Sequence, residues 1–276
     1  MKKFKLLLAL FFAFAVVAAA AFTVPPPGFQ KVYAESYQGT GPNPDRCENE
    51  YIYYSRKESS FYYFEMPDYT NTNTNNSICG PVSGAIVTGY YAYYYPALVP
   101  GWQTYYISSG NVYYHSWSVQ VDLLIDNLTT AMRASSGVTV DNYKKGLSDY
   151  FRLVAGVTVY YNRLLQGGGG GVHWASCVSE LNALRPIALF LSYYNLSEVG
   201  AVSTGEDKLH SCVYINNHVM TADGYQTVKY YEMQSGVETL FRTDYYLWVE
   251  TGWHTWGKVY LGRNFTVNDA YGIGAY

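Results

Sequence analysis

The chain has 276 residues, and 18 basic against 21 acidic side chains leave a net charge of −3, which gives no electrostatic footprint for nucleic acid or anionic lipid. Its 49% apolar content suffices for one sizeable core, and 32 tyrosines supply amphipathic surface of the kind that packs β-rich proteins. Four cysteines are too few for a scaffold held together by disulfides.

Met1-Lys2-Lys3-Phe4-Lys5 precedes an apolar run from Leu6 to Phe22 that ends in the small residues Ala18 to Ala21. A basic start, an apolar stretch and a small-residue zone describe a secretory signal, cleaved either among those alanines or after Val32-Tyr33-Ala34, and taken as residues 1–34. An uncleaved anchor is the competing reading, because the run is near the shortest that spans a bilayer. Residues 35–50, rich in Ser, Gln, Gly, Pro and Asn, read as a linker, and residues 51–276 as one domain. The expected location is therefore extracellular, with no stable membrane insertion once the signal is removed.

Tyr51-Ile52-Tyr53-Tyr54 and Phe61-Tyr62-Tyr63-Phe64 read as short strands. A polar Asn/Thr loop from Thr70 to Asn76 then delivers Cys79-Gly80-Pro81. Pro81 suits a first helical turn, where its missing N–H has no partner to lose. Val82, Ala85, Ile86, Gly89 and Tyr93 give the helix an apolar stripe, and Pro96 ends it. Residues 96–114 read as irregular. Helices follow over 117–133 and 141–155, then a strand over 157–161 and a glycine-rich surface loop over 166–171. After a short helix at 175–184 the pattern changes to strands over 187–193, 212–215, 218–222, 227–233 and 245–250. Asp223-Gly224 reads as the turn between two of them. A mostly helical first half followed by a mostly antiparallel second half makes the fold class α+β.

Cys79 is the candidate nucleophile, since a thiol at a helix start meets the positive end of the dipole and unpaired N–H groups, both favouring thiolate. A nucleophilic cysteine needs a base. His218 opens the strand Val219-Met220-Thr221-Ala222 and follows Cys79 at a separation within the ~130–150 residues of papain-type enzymes; His210 also qualifies. A separate set, His173, Cys177, His210 and Cys212, could supply four zinc ligands, while a Cys177–Cys212 disulfide suits export equally well.

Three segments in order carry a resemblance. They are Cys79-Gly80-Pro81 followed by Gly89-Tyr90-Tyr91 and Tyr95-Pro96, then His218 to Tyr225, then Val249-Glu250-Thr251-Gly252-Trp253. Together they resemble the papain-fold bacterial cysteine peptidases of the C39-like group, with a fainter likeness to streptopain. The resemblance implies a helical half carrying Cys79, packed on an antiparallel sheet half. It implies Cys79 as nucleophile, His218 as base, and Glu250 at the third position, where the family usually has Asn or Asp and where Thr251 is the alternative. Asn73 falls where the family's oxyanion-hole Gln stands, and Trp253 falls beside the substrate. The implied activity is hydrolysis of peptide bonds through a thioester, by a monomer that uses no metal or other cofactor. A cell-wall amidase, and a non-catalytic binding protein on the same fold, are the alternatives.

Overall fold

The computed structural model describes residues 43–70, 78–116, 118–166, 171–253, 256–260 (backbone only) and 266–276. The run after Cys79 forms α1 (Cys79–Tyr91), and from Gly80 onward every residue of it is buried. A helix apolar on all sides is a core helix, and small residues let its neighbours come close. A β-carbon on Gly84 would lie 2.6 Å from Met132 Cε, and one on Gly89 would lie 2.5 Å from the Tyr69 hydroxyl. Beside it lie α2 (Val119–Ala131), capped by the Ser118 side chain, and α3 (Val140–Ala155), capped by Thr139 and stopped by Gly156 at φ 69°. The fourth helix, α4 (Trp174–Asn182), is capped by His173.

Strands β1 (Arg46–Tyr53) and β2 (Arg56–Tyr63) precede α1, and β3 (Tyr105–Ser108) pairs with β4 (Asn111–Tyr114) in a small separate hairpin. β5 (Val159–Arg163) follows α3. The remaining strands are β6 (Ile187–Ser203), β7 (Glu206–Tyr214), β8 (His218–Gln234), β9 (Val237–Glu250), β10 (Trp256–Tyr260) and β11 (Thr266–Ala275). All described pairings are antiparallel, in the order β1-β7-β6-β10-β9-β8-β2, with β11 joining β5 to β6. The two ends of that order, β1 and β2, are separated in the chain only by Tyr54 and Ser55, so the sheet curls to bring them together. Ile52, Leu209, Val228, Tyr230 and Tyr246 fill the inside of the curl.

Where β6 and β8 pair, the sheet has two covered faces. Ala188, Phe190 and Val219 belong to the core shared with α1, α2 and α3. Ile187, Leu189, Leu191, Met220 and Ala222 belong to the core that includes Cys177 and Leu181 of α4. Strict alternation along both strands produces this division. The protein is thus α+β, with helices packed on an antiparallel sheet.

Four local expectations change. Asp223-Gly224 is not a turn. β8 runs on through it, and the register against β9 shifts between Ala222 and Gly224, so the extra residue is taken up as a bulge. Gly224 is needed there because a β-carbon would sit 2.6 Å from the Tyr62 carbonyl oxygen. Residues 96–114 contain the β3–β4 hairpin, turned by Ser109 and Gly110 at φ 50° and 81°. The stretch read as a linker includes the start of β1. Lastly, Cys212 is bonded to Cys47, its direct partner across β1 and β7, while Cys177 remains a buried thiol. The reason is placement: Cys177 lies on the buried face of α4 in the core, whereas Cys47 and Cys212 occupy facing positions on neighbouring strands.

Candidate active site

Cys79 is the first residue of α1, and Ile78 before it offers no side-chain cap. The leading N–H groups therefore lack the usual oxygen partner. The backbone N–H groups of Val219, Gly80 and Cys79 itself lie close enough to the sulfur to favour its charged form. Those contacts favour thiolate, but burial outweighs them and pushes the thiol above its ordinary value. The expected activation by the helix end is present and is overridden by desolvation. One turn on, the Ser83 hydroxyl bonds Thr221 Oγ1 at 2.8 Å and lies 3.3 Å from the Tyr143 hydroxyl, fixing α1 against β8 and α3.

His218 is the first residue of β8 and is 6% exposed. It pairs with Leu191 of β6, and both alternation and register put its ring on the face that carries Met220 and Ala222. There it stacks on Trp253 with ring centres 4.1 Å apart, and Tyr194 and Tyr214 extend the aromatic cluster. Nε2 lies 2.8 Å from the Thr251 carbonyl oxygen, which can only accept, so Nε2 carries the proton and Nδ1 the lone pair. Burial lowers the ring's pKa to about 4, so the imidazole is neutral at pH 7.

Glu250 ends β9 and pairs with Thr221, which faces α1. It therefore lies on the Cys79 side of the sheet, 3% exposed, and the expected His218–Glu250 contact is not made. The acceptor that orients the ring is one residue further on, and it is a main-chain oxygen rather than a carboxylate. Side-chain reasoning had no means of finding it, because any residue supplies a carbonyl. Trp253 covers the His218 ring. Asn73 lies outside the described residues.

The structure thus brings Cys79 next to the main chain of Val219, one residue from His218, and places the His218 ring across the sheet from the sulfur. Of the other described histidines, His115 packs at a tilt against Trp102 and Tyr106, and His173 caps α4. His173 and Cys177 do not join His210 and Cys212 in a zinc set. Among the described residues, no helix is long and apolar enough to cross a membrane. Comparison with protein-family models, curated proteins and solved structures returned no match.

Proposed function

We propose that this chain is a secreted, papain-like cysteine peptidase of the C39-like kind, with Cys79 as nucleophile and His218 as base. The observation that carries this reading is the sulfur at the uncapped start of a buried helix. Backbone N–H groups near it favour the thiolate, and one of them belongs to Val219, next along β8 to His218, whose tautomer leaves the Nδ1 lone pair free to take a proton. Thiol and imidazole are both neutral at rest, so attack on a peptide carbonyl is coupled to movement of the thiol proton to Nδ1. The Cys79 N–H stabilises the tetrahedral oxyanion, with Asn73 as its partner in this reading. The amine departs with the proton from Nδ1, and water then cleaves the thioester. Forming the pair requires the His218 side chain to leave the Trp253 stack and swing round the start of β8.

A second reading, a non-catalytic binding protein on this fold, is favoured by the sheet that separates sulfur from imidazole. One experiment divides the two. The chain without residues 1–34 is treated with a peptide bearing a thiol-reactive electrophile and assayed on casein and on cell walls. Stoichiometric labelling at Cys79, with casein cleavage lost in Cys79→Ser and His218→Asn, supports the peptidase. Cleavage confined to cell walls supports the amidase alternative. A chain whose Cys79 labels no faster than with a non-peptide electrophile, and which cleaves neither substrate, is a binder.

A further inference from the structure

On the face of the β1–β7 ribbon turned away from the Leu209 and Ile52 core, three potential metal ligands converge. Cys47 of β1 and Cys212 of β7 are direct cross-strand partners, and His210 lies two residues before Cys212, on the same face. The donor atoms of Cys47, His210 and Cys212 all lie within 4.8 Å of one another. His210 is also held in one tautomer. Its Nδ1 is 2.8 Å from Asn49 Oδ1, an amide oxygen that can only accept, so Nδ1 carries the proton. The Nε2 lone pair then points at Cys212 Sγ, 3.3 Å away. A ligating histidine is set up in this way in metal sites, where the far ring nitrogen donates to a fixed oxygen and the near one is free to coordinate. In the oxidised state described here, the sulfurs are bonded to each other and cannot bind a cation.

We propose that reduction of the Cys47–Cys212 disulfide creates a zinc-type site whose protein ligands are the two thiolates and His210 Nε2. An external dithiol supplies the two electrons. Its sulfurs become a disulfide, the Cys47–Cys212 bond breaks, and each cysteine takes one proton. Entry of a divalent cation releases both protons to solvent and leaves a neutral assembly of the cation with two thiolates. Two sulfurs and one imidazole nitrogen suit a borderline-soft tetrahedral ion, and exposed Cys47 leaves the fourth position open to water. The cation would restore the link between β1 and β7 that reduction cuts.

Cobalt(II) is the probe, because a thiolate-bound tetrahedral ion gives intense visible and charge-transfer absorption. The full chain is titrated with cobalt(II) before and after treatment with a phosphine reductant, in a Cys79→Ser background to remove the other partly accessible thiol. Reduced protein should bind one equivalent with thiolate charge-transfer bands, and oxidised protein should show none. His210→Ala and Asn49→Ala keep the disulfide, so their folding is checked in the oxidised form by circular dichroism. After reduction, His210→Ala should lose the tetrahedral spectrum, and Asn49→Ala should bind roughly 10-fold more weakly. The proposal is overturned if the reduced chain shows no bands. It is equally overturned if His210→Ala binds as tightly as its parent, or if the oxidised chain gives the same spectrum.

Discussion

Cys79 and His218 show how far burial reshapes groups whose chemistry looks plain in the sequence. The N–H groups around the Cys79 sulfur would lower its pKa in water, yet desolvation raises it. Alkylation of Cys79 by iodoacetamide should therefore follow an ionisation above the ~8.5 of a free thiol. A rate profile with its midpoint near neutrality would show that the sulfur is more exposed, or closer to a positive charge, than described here. Cys177 is more extreme, pushed up to about 12 by burial and then by neighbouring Glu180, and should resist alkylation until the protein unfolds. His218 supplies a pH dependence of stability. The unfolded chain takes up its proton near pH 6.5, whereas the folded ring does so only near 4. Between those values the unfolded state holds more protons, so stability falls on acidification through that window, by up to about 1.4 kcal/mol per pH unit, and is unaffected above it. Denaturant midpoints measured from pH 7 to pH 4 should fall less steeply in His218→Gln than in the parent.

Between elements, the α1–β8 seam decides where the candidate site can form. Ser83, Thr221 and Tyr143 make a small hydroxyl network inside an otherwise apolar contact, and all three are buried. The Ser83 hydroxyl is the centre of this network: without it Tyr143 loses that contact and Thr221 keeps only a 3.4 Å bond to the Ser83 carbonyl oxygen. Ser83→Ala should cost about 1–3 kcal/mol. The double variant Ser83→Ala/Thr221→Val removes both ends and should recover part of that loss, giving a coupling energy of about 0.5 kcal/mol or more in thermal or denaturant unfolding. Strict additivity would mean that the seam is held by packing alone. The same seam explains why Glu250 and His218 do not meet. Glu250 pairs with Thr221 and shares its face, whereas His218 lies three positions along β8, on the opposite one. Which residue of β8 lies opposite Glu250 is a matter of register, and register depends on the bulge at Ala222–Gly224.

For the molecule as a whole, a buried carboxylate helps to hold the curled sheet closed. Asp207 of β7 is fully buried and accepts from Lys57 of β2 at 2.7 Å, from the Tyr54 hydroxyl at 3.0 Å and from the Tyr230 hydroxyl of β8 at 3.1 Å. It thus ties β7, beside one end of the strand order, to β2 at the other. Asp207→Ala would leave Lys57 and two hydroxyls facing an emptied site, and should cost about 3–5 kcal/mol in unfolding experiments. Lys57→Met in the same background should regain part of it, since an apolar side chain no longer needs the charge. Arg242 repeats the arrangement with Asp244 and Glu50, so the inside of the curl is held by paired charges as well as by apolar side chains.

The amino-acid sequence by itself determined that helices form at α1, α2 and α3, because each has a local signal: Pro81 in the first turn of α1, and apolar residues at helical spacing in α2 and α3. It also determined the concentration of antiparallel strands after residue 186, hence α+β, and the placing of Cys79 at a helix start and His218 at a strand start. Those are local properties, written within a few residues of each site. Only the tertiary structure decided the rest. Cys47, in a stretch that reads as linker, joins Cys212 because β1 finds β7 far along the chain, 165 residues away. Asp223-Gly224 becomes a bulge because β2 and β9 hold β8 straight on both sides. The His218 ring turns away from the sulfur because a period-two strand sends neighbouring side chains to opposite faces, and the pairing with Leu191 sets which face is which. Pairing between distant strands is a collective property of the folded sheet, and no short stretch of sequence encodes it.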